Sequence, residues 1–271
     1  LAALKDGSKL CRAQRNARKQ LCNTLGEGRY EPDIDPANFD SDFTQLTNPS
    51  PYRPLGIGNH WKYEGSGEAI VIDVLDKTKL IDGLTCLEVR DIVTTGGELR
   101  EDTLDWFAQA KNGDVFYCGE EVKDYESFEG DNPRQPELTD ISGSFKQGRN
   151  GDKGGIYFKG ESTVGEVYRQ EFSPGNAEDV VRVLSTTYSY GSDPTLDQFA
   201  PPDLIKGLCA NKDCVVTGEY TPISPTPDGF ARKYYAKGIG VFLEVVPSTG
   251  QIVQLVECNM DSKCAILPLP K

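Results

Sequence analysis

Short runs of alternating apolar and polar residues follow one another from Trp61 to Cys258, and turn residues separate the runs. Alternation with a period of two residues is typical of β-strands with one buried face. Asp82-Gly83 and Asn112-Gly113 predict turns, because Asn, Asp and Gly tolerate positive φ angles. The pattern therefore predicts an all-β fold of about nine or ten antiparallel strands in a barrel, a half-barrel or a sandwich. The predicted strands cover residues 68–75, 84–93, 99–109, 115–118, 167–172, 180–190, 215–220, 232–246 and 251–258.

Three segments depart from the strand pattern. Residues 1–26 contain no proline and end at Gly26, which predicts a helix. Six basic residues and one aspartate give this helix a charge of about +5. Since the whole chain carries −13, the remaining residues carry about −18. Residues 27–58 are rich in Pro and Asp and predict an extended strap, and residues 129–155 predict a long loop. The predicted organisation is a basic N-terminal helix (1–26), a strap (27–58) and a single antiparallel β domain (59–271).

The cysteine content predicts a disulfide framework. The count is even and no metal-ligand spacing is present, which favours an extracellular or periplasmic location. Two cysteines in the predicted helix are eleven residues apart, or roughly 16 Å in a continuous helix, whereas a disulfide needs Cα atoms within about 7 Å. We therefore expect each of these two to bond elsewhere, with the C-terminal cysteines as first choice, unless the helix is broken. The eight predicted disulfide cysteines are Cys11, Cys22, Cys86, Cys118, Cys209, Cys214, Cys258 and Cys264.

Charge and composition exclude several functional classes. A net charge of −13 and a pI near 4.6 argue against nucleic acid as a partner. No apolar run approaches the ~20 residues of a membrane span. His60 is the only histidine and no nucleophile-elbow motif occurs, so a serine or cysteine triad has little support.

The strand around Trp106 holds the densest group of candidate site residues. Alternation places Arg100, Asp102 and Trp106 on one face, and Asp105 with Glu101, Thr103 and Phe107 on the other. Both faces mix polar and apolar residues, which a polar-lined barrel interior would explain; a charge ladder on a solvated face is the alternative. Two tyrosines on a later strand could line a cleft or fill the core. The candidate ligand-binding residues are Arg100, Asp102, Asp105, Trp106, Tyr188 and Tyr190.

The strap supplies the one candidate metal site. Its carboxylates Asp33, Asp35, Asp40 and Asp42 could offer oxygen ligands to calcium. The spacing differs from that of calcium-binding loops, so a role in stabilising turns is the alternative. No other cofactor is expected.

Several stretches resemble a group of uncharacterised secreted bacterial proteins. These stretches are residues 22–30, residues 35–39, residues 65–90, Glu101–Gln109 (EDTLDWFAQ), Tyr168–Phe172 and Lys233–Gly240 (KYYAKGIG). The resemblance covers residues 20 to 257 and implies a fold and a compartment, since the group has no assigned activity. The closing strand pair is also similar to that of lipoprotein-carrier half-barrels, which hold acyl chains in a curved sheet. The group pattern has an aromatic residue at the position of Cys118. This cysteine could therefore form a disulfide that is peculiar to this chain.

These observations favour a secreted, non-catalytic module that binds a small molecule or a protein partner. One alternative is a self-associating subunit of an extracellular layer or filament, because the helix and the body carry opposite charges. A second alternative is a carboxylate-based hydrolase, with Asp102 and Asp105 as its first candidates.

Overall fold

A computed structural model describes residues 2–225 and 231–270, and the side chains of residues 6–225 and 231–270. The ends of the predicted organisation, Leu1 and Lys271, lie outside the described residues. The helices are α1 (Ala2–Leu25), α2 (Pro194–Asp197) and α3 (Pro202–Leu208). The strands are β1 (His60–Gly65), β2 (Glu68–Ile81), β3 (Leu84–Thr95), β4 (Glu98–Gln109), β5 (Val115–Glu121), β6 (Asp124–Glu126), β7 (Glu137–Asp140), β8 (Phe145–Lys146), β9 (Lys153–Phe158), β10 (Val167–Arg169), β11 (Glu171–Phe172), β12 (Val180–Tyr188), β13 (Cys214–Tyr220), β14 (Ala231–Ala236), β15 (Gly240–Val246) and β16 (Gln251–Cys258).

The strands form one antiparallel sheet that curls into a nearly closed barrel. Their order is β10-β12-β13-β14-β15-β16-β1-β2-β3-β4-β5-β9-β11, and β6, β7 and β8 attach at the side. The two ends of this order, β10 and β11, are adjacent in the chain, since only Gln170 separates them. β10 pairs with β12 and β11 pairs with β9. Residues 167–172 therefore close the barrel by changing partners at Gln170.

The all-β class is confirmed, but the predicted strand number is too low because the described part of the chain contains sixteen strands. Short strands β7, β8 and β9 form in the glycine-rich segment that predicted a loop. The predicted strand 232–246 is a hairpin of β14 and β15, with a turn at Lys237–Ile239. The predicted turn at Asp82-Gly83 is confirmed, with φ angles of 47° and 87° in the left-handed region that this turn requires.

Residues 43–55 of the strap form a plug at one end of the barrel. Phe43 and Leu55 are buried in the main core. Backbone groups hold the plug in place: the Gly238 amide donates to Pro51 O at 2.7 Å, and the Tyr52 hydroxyl donates to Asp213 O at 2.7 Å. The plug is therefore part of the main core, and one of its residues, Arg53, lines the cavity inside the barrel.

Helix α1 lies near the seam where the barrel closes. Its buried residues are Ala17 and Leu21, and Arg18 forms a bidentate ion pair with Glu178 at 2.7 and 2.8 Å. Residues 6–12 of the helix are exposed. The basic helix thus packs through its C-terminal half against the acidic body of the same chain.

Three disulfides form: Cys86–Cys118, Cys209–Cys214 and Cys258–Cys264. The prediction that all eight cysteines are bonded is wrong here, because Cys11 and Cys22 are exposed and unpaired. The continuous helix keeps these two apart, as expected. The C-terminal cysteines expected to receive them bond each other instead, because a short 3-10 turn at Ser262–Ile266 brings their Cα atoms to 5.1 Å. Three disulfides are typical of an oxidising compartment.

Candidate functional site

A cavity of about 210 Å³ lies inside the barrel. Its lining is polar, which is unusual for the interior of a small barrel, where apolar side chains normally fill the space. Six carboxyl groups, two basic groups and three aromatic rings contribute to it. The lining residues are Arg53, Ile72, Asp91, Glu101, Thr103, Asp105, Phe107, Tyr117, Glu120, Tyr157, Gln170, Glu171, Asp179 and Lys233.

Strand alternation and register bring the carboxyl groups together. Successive inward positions of β4 are Glu101, Thr103, Asp105 and Phe107. Thr103 pairs with Asp91 on β3, and Asp105 pairs with Glu120 on β5. Directly opposed residues on neighbouring strands lie about 5 Å apart at Cβ. Three adjacent strands therefore present carboxyl groups to the same space.

Arg53 reaches the cavity from the plug. Only 5% of the residue is exposed, and its guanidinium carbon lies 4.7 Å from the ring centre of Phe107 and 4.8 Å from that of Tyr157. Its Nε atom is buried without a hydrogen-bond partner. Among the described residues, no carboxylate lies within 4.0 Å of its nitrogens. Arg53 is therefore a buried cation, held by aromatic rings, that lacks an ion pair.

A three-group hydrogen-bond chain crosses one wall of the cavity. The Tyr117 hydroxyl oxygen lies 2.5 Å from Asp105 Oδ1 and 2.9 Å from Glu120 Oε2. A phenol has one proton, so it can donate to only one of these carboxyl groups. Burial raises the pKa of Asp105 to about 6, and burial together with the charge of Asp105 raises the pKa of Glu120 well above its usual range. The Tyr117 hydroxyl therefore joins the two carboxyl groups by hydrogen bonds, and burial favours the protonated form of each.

Asp91 stands apart from the other cavity carboxyl groups because its Oδ1 atom is buried without a partner. Burial raises its pKa to about 8, and the nearby charges of Asp105 and Glu101 act in the same direction. By contrast, Glu101 accepts a hydrogen bond from Thr103 Oγ1 at 2.7 Å, and Glu171 accepts one from the Asp179 amide at 3.4 Å. The cavity thus contains one unpartnered acceptor as well as one unpartnered donor.

The second basic group, Lys233, is already neutralised. Its Nζ lies 2.6 Å from Glu219 Oε2, and the other oxygen of Glu219 accepts from the Tyr235 hydroxyl at 3.1 Å. Arg53 is therefore the cavity's one cation without an ion pair within 4.0 Å among the residues described, and the charges of Asp91 and Asp105 interact with it at longer range.

The structure separates the candidate residues that alternation had placed on β4. Asp105 lines the cavity. Asp102 faces outward and accepts two hydrogen bonds from Arg90 at 2.8 Å, and Arg100 pairs with Glu98 at 3.2 Å. Trp106 is buried in a second apolar cluster with the Cys86–Cys118 disulfide, outside the cavity lining.

The two candidate tyrosines also lie away from the cavity. Tyr188 is buried in the main core and donates to Asp197 Oδ1 at 2.8 Å. Tyr190 is partly exposed, and Lys206 Nζ lies 5.0 Å from its ring centre. Both tyrosines therefore hold the α2–α3 region in place rather than lining the interior cavity.

Sequence reasoning missed Arg53, Asp91 and Glu120. Arg53 lies in a strap whose docking no local pattern reveals, and Glu120 follows the predicted end of its strand. Asp91 did carry a signal, because it occupies an inward position between Val89 and Val93 in an otherwise apolar alternation. A lone carboxylate at a core position is the pattern that could have identified it.

The strap carboxylates proposed for calcium accept hydrogen bonds from neighbouring residues of the strap. Asp35 and Asp42 accept hydrogen bonds from the amides of Ala37 and Thr44, and Asp40 accepts from Thr47. Within residues 2–225 and 231–270 no group of three or more His, Cys, Asp or Glu side chains is arranged to hold a metal ion. The strap aspartates, Asp33 included, therefore act as turn-stabilising acceptors in this structure.

No protein-family model, curated protein or solved structure matches this chain. No helix in the described part of the chain is long and apolar enough to cross a bilayer.

Proposed function

We propose that this protein is a secreted or periplasmic, non-catalytic binding protein that holds a small polar molecule in the cavity inside its barrel. The observation that carries the proposal is Arg53, which is 5% exposed, lacks an ion pair and lines a cavity of about 210 Å³. The three disulfides support the compartment.

The energetics of Arg53 favour a ligand. Burying a charged group without a partner costs several kcal/mol, and the cation–π contacts of Arg53 with Trp61, Phe107 and Tyr157 recover about 0.5–2 kcal/mol each. A protein that needed only stability would place a neutral side chain here. An arginine kept at this position is explained by an acceptor group that arrives with a ligand.

The cavity has a size that suits such a ligand. Its volume of about 210 Å³ is well above the ~10–15 Å³ that one water needs and below the ~300 Å³ at which pockets for drug-sized ligands begin. A molecule of amino-acid or monosaccharide size fits this space. The aromatic rings of Phe107 and Tyr157, already stacked on Arg53, supply the apolar part of the lining.

The first experiment is the intact mass of unreduced protein from its source, under native and then denaturing conditions. We expect an additional small mass that disappears on denaturation. The substitution Arg53→Met should abolish this mass, whereas the outward-facing Arg100→Met should retain it. Circular dichroism and the melting temperature of each variant establish that it is folded.

The proposal is refuted if two results are obtained together. The native protein shows no mass beyond that of the chain, and its melting temperature does not change when a concentrated low-molecular-mass extract of the source medium is added.

A carboxylate-based hydrolase is the second candidate, and one observation favours it. The distances from the Tyr117 hydroxyl of 2.5 and 2.9 Å place the oxygens of Asp105 and Glu120 at most 5.4 Å apart. Retaining glycosidases separate their two carboxyl groups by about 5–5.5 Å. However, the Tyr117 oxygen lies between these carboxyl groups, where a scissile bond would have to sit. Turnover of aryl glycosides that falls at least 100-fold in Asp105→Asn, and is unchanged in Asp102→Asn, would favour the hydrolase.

A further inference from the structure

The charge balance of the cavity restricts the chemistry of its ligand. Six carboxyl groups line the space, against Arg53 and Lys233, and Lys233 is paired with Glu219. Burial raises the pKa of Asp91, Glu120 and Glu171, so the ionised forms of these carboxyl groups are disfavoured while the cavity has no cationic ligand. A ligand that brings positive charge near the carboxyl groups favours their ionised forms.

Arg53 and Asp91 each have one buried atom without a hydrogen-bond partner, and the charge of Arg53 acts on Asp91 although the two side chains form no ion pair. Arg53 Nε and Asp91 Oδ1 are both buried without partners, and no ion pair joins the two side chains. One is a hydrogen-bond donor and the other an acceptor, and both lie on the same cavity. A single molecule with an acceptor group at one end and a donor group at the other can satisfy both.

We infer that the ligand is a small zwitterion of the amino-acid type, with its carboxylate on Arg53 and its ammonium group on Asp91 and Asp105. This inference rests on the proposed function. The carboxylate and the guanidinium form a bidentate pair, and the ammonium group stands among the excess carboxyl groups.

Other ligand classes satisfy only part of the cavity. A dicarboxylate matches Arg53 but places its second carboxylate among carboxyl groups whose ionisation burial already opposes. A diamine matches the carboxyl groups but leaves Arg53 without an acceptor and places a second cation near it. A neutral diol or sugar can hydrogen-bond to both ends but brings no cation to favour the ionised forms of Asp91 and Asp105.

Binding of the ammonium group should release protons from the cavity. Burial raises the pKa of Asp91 to about 8 and that of Asp105 to about 6, so both carry protons over part of the neutral range. An ammonium ion favours their ionised forms. Affinity should therefore rise between about pH 6 and pH 8. The charged and titratable groups around this space are Arg53 from the plug, Asp91 from β3, Glu101 and Asp105 from β4, Tyr117 and Glu120 from β5, Tyr157 from β9, Glu171 from β11, Asp179 from the turn before β12, and Lys233 from β14.

Isothermal titration with matched straight-chain probes tests the inference. The probes are ω-amino acids from β-alanine to 6-aminohexanoate, with the diamines, dicarboxylates and diols of the same lengths. The series of lengths removes any dependence on an assumed spacing between the two ends. We expect the best amino acid to bind at least tenfold more tightly than its diamine, dicarboxylate and diol counterparts.

Matched variants assign the two ends of the ligand. Asp91→Asn and Arg53→Met should each weaken binding of the amino acid at least tenfold. Asp102→Asn and Arg100→Met, which alter the outer face of β4, should leave it unchanged. Asp91→Asn should also remove part of the increase in affinity with pH.

The outcomes distinguish this inference from the proposed function. If the native protein carries a cargo without a basic nitrogen, or if a diol or dicarboxylate binds as tightly as the amino acid, the inference is wrong and the binding function stands. If the native protein carries no cargo and no probe or source extract binds, both are wrong.

Discussion

Replacement of Asp91 by asparagine should stabilise the ligand-free protein at neutral pH. The folded state raises the pKa of Asp91 to about 8 from an unfolded value of 3.8. When folding raises the pKa of a carboxyl group, the group ionises at lower pH in the unfolded chain than in the folded protein. It therefore favours the unfolded state increasingly as the pH rises from its unfolded-state pKa to its folded-state pKa. At 1.36 kcal/mol per pKa unit, the penalty grows by at most ~4 kcal/mol between about pH 5 and pH 8. The effective dielectric constant of a protein interior exceeds that of a dry apolar medium, so we expect roughly half of this, about 2 kcal/mol.

Urea unfolding of the disulfide-intact protein at about pH 5, 6, 7 and 8 measures this effect. The wild type should lose stability as the pH rises, and Asp91→Asn should show a shallower slope and a higher free energy of unfolding at pH 8. Asp102→Asn is the matched control on the outer face. Hydrogen bonds from Arg90 lower the pKa of Asp102, so its contribution is lost only in acid and its replacement should be destabilising at neutral pH. The reasoning fails if Asp91→Asn destabilises the protein at pH 8, or if its slope matches that of the wild type.

Two further predictions concern the scaffold. Replacing Cys86 and Cys118 together by alanine opens a cross-link over a sequence separation of 32 residues and should lower the free energy of unfolding by about 3–4 kcal/mol; equilibrium unfolding checks this, and a loss under about 1 kcal/mol would contradict it. Arg18→Ala leaves the buried carboxylate of Glu178 without its ion pair, so amide protons of α1 should exchange faster and stability should fall by about 1–3 kcal/mol. Arg12→Ala, which removes only a bond within the helix, should change neither quantity, and equal effects of the two substitutions would refute the role of the ion pair.

Local patterns predicted the all-β class and the faces of β4. The Asp82-Gly83 turn formed as expected because its φ requirement is a property of two adjacent residues. The alternation along β4 separated Asp105 from Asp102, although it did not show which face was the interior. The same patterns undercounted the strands, because pairs as short as β8 and β11 are stabilised by their neighbours and not by their own composition.

The candidate site was harder to predict than the fold. Its central residue, Arg53, lies in a proline-rich strap, and an extended segment has no period that reveals what it will pack against. Its partners come from strands far away in the chain, such as Asp179 and Lys233. Contact between such residues depends on the order in which the strands pair, and a single sequence does not encode that order locally.

The sequence by itself determined the strand periodicity, the turn positions, the basic helix and a cysteine content suited to an oxidising compartment, because each depends on composition or on residues close together in the chain. Only the tertiary structure decided that residues 167–172 close the barrel, that the strap plugs one end, and that Arg53 and Asp91 meet the same cavity without a partner. The physical reason is that burial and charge compensation depend on which distant groups surround a side chain, and packing alone sets those surroundings.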